Sequence, residues 1–337
     1  MTNRTALSSA FLARAGWAGA KRSPLAGDAS DRRYERILKD TGESAVLMDV
    51  GPIGGDSLRP FIKIADHLKR IGLSAPEIRA TDLRNGFLLL EDFGDNLFAV
   101  LMLSDPAIER ALYEEAIDLL VHLHRAPLPD RVSEFRPRQM AEFAAIAYEW
   151  YDPDPHSGSE KVCVAELTRL LSMVATNQPV LALRDFHSEN LIWLPERTGT
   201  RRVGLLDFQD AFLCHPAYDL VSLLRDARRD RSPGLAQPLI DRYVQVSGCD
   251  SADLHLALAV YGAQRNLRIV GIFARLCRMQ GKPHYIDLIP RVWRHLLTDL
   301  AHPDLEDLRR IVLADLPEPT NEFLNTLKAK CATTPHP

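Results

Sequence analysis

Two stretches of the chain decide its predicted fold: Leu-Arg-Asp-Phe-His-Ser-Glu-Asn at 183–190 and Leu-Leu-Asp-Phe-Gln-Asp at 205–210. Short apolar runs flank both of them, at 180–183, 191–194 and 203–206. Apolar runs of this length, bounded by Pro, Gly and Arg, are typical of buried strands. Polar side chains at the end of such a strand are held rigidly. The two stretches therefore predict a cleft faced by Asp185, Asn190 and Asp207.

These three residue types suit a site for metal-bound phosphate. A carboxylate at Asp185 can accept a hydrogen bond from an attacking hydroxyl and orient it in line with a γ-phosphate. The amide oxygen of Asn190 is a neutral, hard ligand for Mg²⁺. A carboxylate at Asp207, at the end of its strand, can bridge Mg²⁺ to the β- and γ-phosphates of ATP.

Three further residues of this region carry weaker signals. Asp210 has three open roles: binding a second cation, binding the acceptor, or fixing the loop. His187 is either a ligand or base, or a structural histidine hydrogen-bonded within the loop, and we favour the structural role. Asp219 is expected to brace the catalytic loop by accepting backbone N–H groups.

A second phosphate-binding element is predicted near the start of the chain. It is a run of small and polar residues, Gly27, Asp28, Ala29, Ser30 and Asp31. Small residues allow backbone N–H groups to approach oxygen anions, although an ordinary surface turn has the same composition. The next positive charges are Arg32, Arg33 and Arg36, and one of them can serve the phosphates. Further on, the backbone of Glu91 and Phe93 is placed to hydrogen-bond adenine.

The bulk composition limits the partners of the chain. It has 337 residues with a formal net charge of −4, and 46% of them are hydrophobic. No block of Lys and Arg resembles a nucleic-acid footprint, so nucleic acid is not expected as a partner. No apolar run approaches the roughly 18 residues of a membrane span. Nothing in the sequence implies an obligate protein partner.

The five cysteines indicate a reducing compartment. They stand at positions 163, 214, 249, 277 and 331, and no two of them form a Cys-x-x-Cys pair. An odd and dispersed set predicts free thiols, and hence a cytoplasmic protein.

The order of predicted elements gives two lobes. A helix within residues 1–20 is followed by alternating strands and one helix: strands at 33–38 and 44–50, a helix at 60–71, and strands at 77–81 and 86–91. This is a small α+β lobe, residues 1–91. From Asp105-Pro106 a long helix begins, and most of the remainder is helical. Residues 92–337 are therefore predicted as a larger helical lobe, with the ligand cleft at the lobe junction.

The motifs now identify a family resemblance. Arg184-Asp185-x-x-x-x-Asn190 followed by Asp207-Phe208 resembles the protein-kinase-like superfamily. His187, two residues after the catalytic Asp, is similar to the aminoglycoside/choline phosphotransferase family within it. The resemblance implies an α+β, protein-kinase-like two-lobe fold. It comprises a small antiparallel-sheet N-terminal lobe with one main helix and a larger, mostly helical C-terminal lobe.

A closer likeness is to the bacterial anomeric sugar kinases. Those enzymes act on the C1 hydroxyl of N-acetylmuramate and N-acetylglucosamine. The motifs that carry the likeness are Gly27-Asp-Ala-Ser-x-Arg-Arg-Tyr34, Leu47-Met-Asp49, Phe87-Leu-Leu-Leu90, Asp207-Phe-Gln-Asp-Ala211, Tyr218-Asp-Leu-Val-Ser-Leu223 and Gln264-Arg-Asn-Leu-x-x-x-Gly-Ile-Phe-Ala-Arg275. The resemblance implies an ATP- and Mg²⁺-dependent kinase for an amino sugar.

Two positions depart from the kinase pattern. Leu183 stands where a His usually precedes the Arg-Asp pair, and a packing residue can replace it. Met48 stands about where a phosphate-contacting Lys is expected. The sequence therefore predicts that Arg33 or Arg36 supplies the missing charge.

The acceptor is expected on the helical lobe. Candidates for binding its polar or carboxylate groups are Gln264, Arg265 and Arg268, for which surface or interhelical hydrogen bonding is an equal alternative. Two other functions stay open. One is a kinase for an aminoglycoside, choline or a homoserine-like metabolite. The other is a nucleotide-binding regulatory pseudokinase, which the missing Lys favours and the intact Asp/Asn/Asp set opposes.

Overall fold

The structure is a computed structural model that describes residues 4–25, 32–51, 58–151 and 158–332. Backbone contacts divide the chain into two compact units. The first unit is Met1–Leu119 with Ser188–Ala211, and the second unit is Leu120–His187 with Phe212–Pro337. The predicted lobe boundary after residue 91 stays a prediction.

The described elements alternate between strands and helices in the first part of the chain and are mainly helices thereafter. The strands are β1 (Lys21–Leu25), β2 (Arg33–Leu38), β3 (Ser44–Asp49), β4 (Ile78–Asp82), β5 (Phe87–Glu91), β6 (Val180–Ala182), β7 (Leu191–Trp193), β8 (Val203–Leu205) and β9 (Phe212–Cys214). The helices are α1 (Arg4–Arg14), α2 (Leu58–Arg70), α3 (Phe98–Ser104), α4 (Glu109–Arg125), α5 (Pro137–Ala144), α6 (Ile146–Trp150), α7 (Ser159–Met173), α8 (Ala217–Leu224), α9 (Ala236–Ser247), α10 (Ser251–Gln280), α11 (Ile289–Leu300), α12 (Glu306–Asp315) and α13 (Asn321–Ala329).

The main sheet of the first unit has five antiparallel strands in the order β1-β2-β3-β5-β4. Four of these strands, β2 to β5, follow the predicted bounds closely. The fifth strand, β1, was not predicted, and it contains Pro24. Because proline cannot donate to a strand ladder, it is confined to positions such as the edge strand that β1 forms. This sheet, with the helical remainder, agrees with the predicted α+β class.

The two faces of this sheet have different neighbours. Side chains alternate along each strand, so Ile37, Leu47 and Leu89 share one face. That face packs against Phe11 of α1 and against Trp17 to form a buried cluster. The side chains of the intervening residues of each strand lie on the opposite face.

The first unit also contains a short two-stranded sheet, the hairpin β7–β8. Leu191 pairs with Leu205, and Trp193 pairs with Val203. In the second unit β6 pairs with β9. The predicted long helix begins later than expected, because Pro106 opens a 3-10 turn, Pro106–Ile108, and α4 follows it.

The cysteine prediction is wrong for two of the five residues. Cys277 of α10 and Cys331 form a disulfide, with their Cα atoms 4.8 Å apart. They are far apart in the sequence and meet because the chain after α13 returns to the end of α10, where the Ala332 N–H donates to the Cys277 carbonyl at 3.0 Å. Cysteine spacing alone carries no trace of that return. The remaining three cysteines are thiols.

The second unit is built around α10, whose 30 residues are mostly buried. No helix in the described ranges combines the length and the apolar character needed to cross a membrane.

Gly271 of α10 lies in close contact with the backbone of α6. A Cβ atom at this position would lie 2.4 Å from the carbonyl carbon of Ile146 and 2.5 Å from its oxygen. Backbone atoms cannot rotate away, so Gly271→Ala should force α6 from α10. We expect the overpacking to lower the free energy of unfolding by about 1–3 kcal/mol, although alanine is the better helix former.

Urea unfolding would measure this change. Arg275→Ala, at an exposed position of the same helix, is the control and should change the midpoint little. A Gly271→Ala protein as stable as the unmodified chain would contradict the close contact.

Candidate active site

Asn190 and Asp207 lie at the same end of the hairpin β7–β8. Asn190 immediately precedes β7, and Asp207 follows β8 after one residue. The N–H of Leu206 donates to the backbone oxygen of Asn190 at 3.0 Å and closes this end. The two side chains predicted to bind Mg²⁺ are therefore held on one rigid element.

The carboxylate of Asp207 is oriented by its neighbours. The Nε2 of Gln209 donates to its Oδ1 at 2.8 Å, and Gln209 is nearly buried. Asp207 has φ +53°, a left-handed conformation that costs a non-glycine residue about 1 kcal/mol or more. The next residue, Phe208, is fully buried and stacks on Phe61 of α2 at 4.9 Å. This packing anchors the turn that presents the carboxylate.

The chemistry of this donor pair fits magnesium. An amide oxygen and a carboxylate are hard ligands, and Mg²⁺ in kinases takes only one or two protein ligands besides phosphate and water. Among the described residues no group of three His, Cys, Asp or Glu side chains could hold a metal ion. An amide and carboxylate pair would leave the other coordination positions of the ion to phosphate and water.

The structure brings Arg32, rather than Arg33 or Arg36, to Asp207. The Nη1 of Arg32 lies 3.4 Å from Asp207 Oδ1, and the side chain of Arg32 is 16% exposed. Arg33 is exposed and pairs in register with Asp49. It therefore lies on the α1 side of the sheet, opposite to Met48.

Arg36 shares the face of Met48, but its guanidinium is occupied. It donates to Asp92 at 2.7 and 3.1 Å and to Asp95 at 2.8 and 3.0 Å. These hydrogen bonds, led by those to Asp95, raise the pKa of Arg36 despite burial. Arg36 thus ties β2 to the segment after β5.

The predicted adenine-binding segment shows one backbone group already used. The N–H of Glu91 donates to the carbonyl of Glu77 at 2.8 Å, and its carboxylate pairs with Arg197 at 2.5 Å. Phe93 packs on Gly204, where a Cβ atom would lie 2.9 Å from the ring. Adenine binding by this segment stays a prediction, and the Glu91 N–H is not available for it.

The predicted phosphate-covering residues Gly27, Asp28, Ala29 and Ser30 lie outside the described part of the chain. Asp210, in the first unit, is exposed, and its role stays open.

In the second unit, Asp219 holds the start of the loop that carries Asp185. Its carboxylate accepts the N–H of Leu183 at 2.5 Å and that of Arg184 at 3.0 Å. These are the contacts expected of a bracing residue. Burial raises the pKa of Asp219 to about 7, against the opposing effect of the two donors. Arg184 has φ +75°, so the loop turns sharply just before Asp185.

Asp185 is surrounded by positive charge. Arg265 Nη2 lies 3.8 Å from its Oδ1 and Arg184 Nε lies 3.9 Å from its Oδ2, while the side chain is 35% exposed. Burial acts to raise the pKa of Asp185, but the charges of Arg265 and Arg184 outweigh it and hold the pKa below its ordinary value. Arg265 also donates to Ser222 Oγ at 2.7 Å, which fixes the guanidinium. The carboxylate is therefore kept ionised.

His187 is suited to a structural role. It is 4% exposed, and burial lowers its pKa to about 4, so the ring is neutral near pH 7. Arg228 Nη1 lies 3.2 Å from Nε2. Because a guanidinium cannot accept, Nε2 accepts this hydrogen bond and the ring proton is on Nδ1.

The three predicted acceptor-binding residues of α10 have different surroundings. Gln264 is completely buried and donates to the carbonyl of Met140 at 2.7 Å, which is an interhelical hydrogen bond. Arg265 faces Asp185, as described above. Arg268 donates to the hydroxyl of Tyr218 at 3.2 Å. The acceptor-binding role of Arg268 stays a prediction.

Sequence reasoning missed two residues that orient these side chains, Gln209 and Ser222. Gln209 stands two positions after Asp207, so its reach to that carboxylate is a local signal. Ser222 lies one helical turn after Asp219 on α8 and hence on the same helix face. This spacing could also have been used to predict its position from the sequence.

Comparison with known proteins assigns the chain to a family. A sequence profile of the phosphotransferase enzyme family matches residues 21–255. The chain belongs to the phosphotransferase enzyme family. The predictions of that family and of an enzyme that transfers phosphoryl groups are therefore confirmed.

Two relatives of this phosphotransferase are similar over most of their length. It is 36% identical to the N-acetylmuramate/N-acetylglucosamine kinase of Caulobacter vibrioides, over 91% of this chain and 95% of that protein. It is 32% identical to the N-acetylmuramate/N-acetylglucosamine kinase of Pseudomonas aeruginosa, over 88% of each.

A solved structure extends the likeness to the fold of this phosphotransferase. The choline/ethanolamine kinase family protein from Mesorhizobium loti has a TM-score of 0.63 at 14% identity, covering 92% of this chain and 99% of that one. At so low an identity the likeness concerns the fold, and it confirms the predicted protein-kinase-like α+β class.

Proposed function

We propose that the chain is an ATP- and Mg²⁺-dependent kinase that phosphorylates the anomeric hydroxyl of an amino sugar. N-acetylmuramate and N-acetylglucosamine are the expected acceptors, because two extensively similar relatives are named for them. The predicted cytoplasmic location belongs to the same proposal, since ATP is a cytoplasmic phosphoryl donor.

The observation that carries this proposal is the positive surroundings of Asp185. The charges of Arg265, Arg184 and Arg268 all act on its carboxylate. Aminoglycosides and choline are cations and would be repelled there, whereas a neutral or anionic sugar would not. Among the acceptors left open by the sequence, this favours the amino sugar.

Asp185 is the proposed catalytic residue. Its carboxylate would accept a hydrogen bond from the anomeric hydroxyl and direct that oxygen at the γ-phosphorus. An anomeric hydroxyl is more acidic than an ordinary alcohol. A weakly basic carboxylate, kept ionised by Arg265 and Arg184, is therefore sufficient for this role.

Asn190 and Asp207 are the proposed Mg²⁺ ligands. When bound, Mg²⁺ would neutralise charge on the β- and γ-phosphates. Gln209 keeps the Asp207 carboxylate in one orientation through its hydrogen bond at 2.8 Å.

Arg32 is the proposed replacement for the missing strand lysine. Its guanidinium is the one that reaches Asp207, so it is close to where phosphate oxygens would share an ion with that carboxylate. Arg32→Met should weaken ATP binding by about 10- to 100-fold, the range expected for one or two hydrogen bonds to a charged group. Titration calorimetry with ATP and Mg²⁺ would measure it.

Arg33→Met is the matched control, since Arg33 is exposed on the opposite side of the sheet. It should leave ATP affinity almost unchanged. Equal losses in the two variants, or no loss in Arg32→Met, would contradict the assignment.

The function itself is tested by release of ADP. Purified protein would be incubated with ATP, Mg²⁺ and separate acceptors: N-acetylmuramate, N-acetylglucosamine, kanamycin, choline and homoserine. We expect ADP release that depends on the two amino sugars. Turnover of kanamycin, choline or homoserine instead would contradict the proposed acceptor, and no acceptor-dependent turnover would favour a regulatory pseudokinase.

A further inference from the structure

We propose that Arg268 binds a carboxylate on the acceptor, so that the enzyme favours an acidic amino sugar over a neutral one. This rests on the proposed function and assigns one residue of the same site to one group of the substrate. The two expected acceptors differ in this respect. N-acetylmuramate is N-acetylglucosamine with an ether-linked lactate, and hence carries one carboxylate.

The guanidinium of Arg268 is desolvated, and no carboxylate in the described part of the chain lies in direct ion-pair contact with it. It is partly buried on α10, donates to the neutral hydroxyl of Tyr218 at 3.2 Å, and lies 5.8 Å from the ring centre of Phe143. Across the described residues, no carboxylate forms an ion pair with it within 4.0 Å. Burial lowers the pKa of Arg268, which reflects the cost of keeping it charged there.

Three other arginines of the same unit do have acidic neighbours. Arg225 pairs with Asp299 at 3.0 Å, Arg291 pairs with Asp230 at 2.9 Å, and Arg265 lies 3.8 Å from Asp185. Desolvated charges in proteins are normally compensated in this way. An anionic ligand would provide the same compensation for Arg268.

Arg268 also lies within electrostatic reach of Asp185. Arg268 follows Arg265 by one turn of α10, a rise of about 4.5 Å along the helix axis. Its charge acts on the Asp185 carboxylate together with those of Arg265 and Arg184. The other titratable groups that face this carboxylate are His187 and Asp219. A sugar whose anomeric hydroxyl meets Asp185 can therefore extend towards Arg268.

An aromatic surface lies beside the guanidinium of Arg268. Phe143 is 39% exposed and its ring lies beside this partly buried guanidinium. An aromatic ring of this kind packs against the apolar C–H groups of a sugar, and a guanidinium binds a carboxylate with two parallel hydrogen bonds. Phe143 and Arg268 together suit an acidic sugar better than either residue alone.

The test compares substrates and variants together. Arg268→Gln and Arg268→Lys would be assayed with N-acetylmuramate, its uncharged methyl ester and N-acetylglucosamine. With N-acetylmuramate, Arg268→Gln should lower kcat/KM by about 10- to 100-fold, mainly through KM. The loss with N-acetylglucosamine should be much smaller, and Arg268→Lys should retain part of the preference.

The methyl ester makes the test independent of folding of the variants. For the unmodified enzyme, changing the substrate from N-acetylmuramate to its methyl ester should lower kcat/KM about as much as Arg268→Gln does with N-acetylmuramate. For the Arg268→Gln enzyme, the same change of substrate should lower kcat/KM little further. Arg275→Gln, an exposed arginine two turns further along α10, is the matched control and should behave as the unmodified enzyme.

The outcomes separate this inference from the function on which it rests. Equal losses on both sugars in Arg268→Gln, or an ester used as well as the acid by the unmodified enzyme, would overturn the role of Arg268. In that case the kinase activity itself would stand. Failure of the unmodified enzyme to phosphorylate either sugar would overturn the proposed function, and with it this inference.

Discussion

Replacing Asp185 with asparagine should lower kcat by about 10²- to 10⁴-fold, the range typical of a lost general base. The amide keeps the size of the side chain but cannot take a proton from the acceptor hydroxyl. Affinity for ATP should change far less, because the proposed role of Asp185 is towards the acceptor. Release of ADP at saturating N-acetylmuramate and ATP would measure the change.

The matched control for this experiment is Asp241→Asn. Asp241 is an exposed carboxylate on α9 of the same unit, so its loss should leave kcat unchanged. Thermal unfolding of both variants would show that the fold is intact. A folded Asp185→Asn enzyme with kcat near that of the unmodified protein would remove Asp185 from the mechanism.

Replacing Asp207 with asparagine should lower kcat/KM by about 10²- to 10³-fold, because charge stabilisation supplies most of phosphoryl-transfer catalysis. The variant loses the one negative charge of the proposed ligand pair. It should therefore also need a higher Mg²⁺ concentration for half-maximal rate. A Mg²⁺ titration at fixed ATP would measure both effects.

Asp40→Asn is the control for Asp207→Asn. The side chain of Asp40 is 91% exposed in the first unit, so the substitution should not alter the Mg²⁺ dependence. An unchanged Mg²⁺ requirement in Asp207→Asn would contradict its role as a ligand.

Local patterns were enough to predict most of the first unit. Short segments bounded by turn residues located β2, β3 and β5, and the helical stripe with Phe61 and Leu68 located α2. The same short-range logic placed Asn190 and Asp207 beside a strand pair, and the structure shows that pair as one hairpin. Each of these features depends on residues that are close together in the sequence, so it could be predicted from the sequence.

The partners of the predicted site residues were less accessible. Strand alternation alone places Arg33 and Arg36 on opposite faces, so it could have shown that at most one of them serves the phosphates. The acids that occupy Arg36, and the approach of Arg265 to Asp185, depend instead on segments far apart in the chain. Cys277 and Cys331 were missed for the same reason. Such contacts are set by packing and leave no periodic signal.

The central claim is that phosphate is transferred to the anomeric oxygen of an amino sugar. Its most direct test is ¹³C and ³¹P NMR of the product formed from ATP, Mg²⁺ and N-acetylglucosamine labelled with ¹³C at C1. We expect coupling between phosphorus and the labelled carbon, together with loss of the reducing end. Phosphate on the C6 oxygen, or a labelled sugar recovered unchanged, would contradict it.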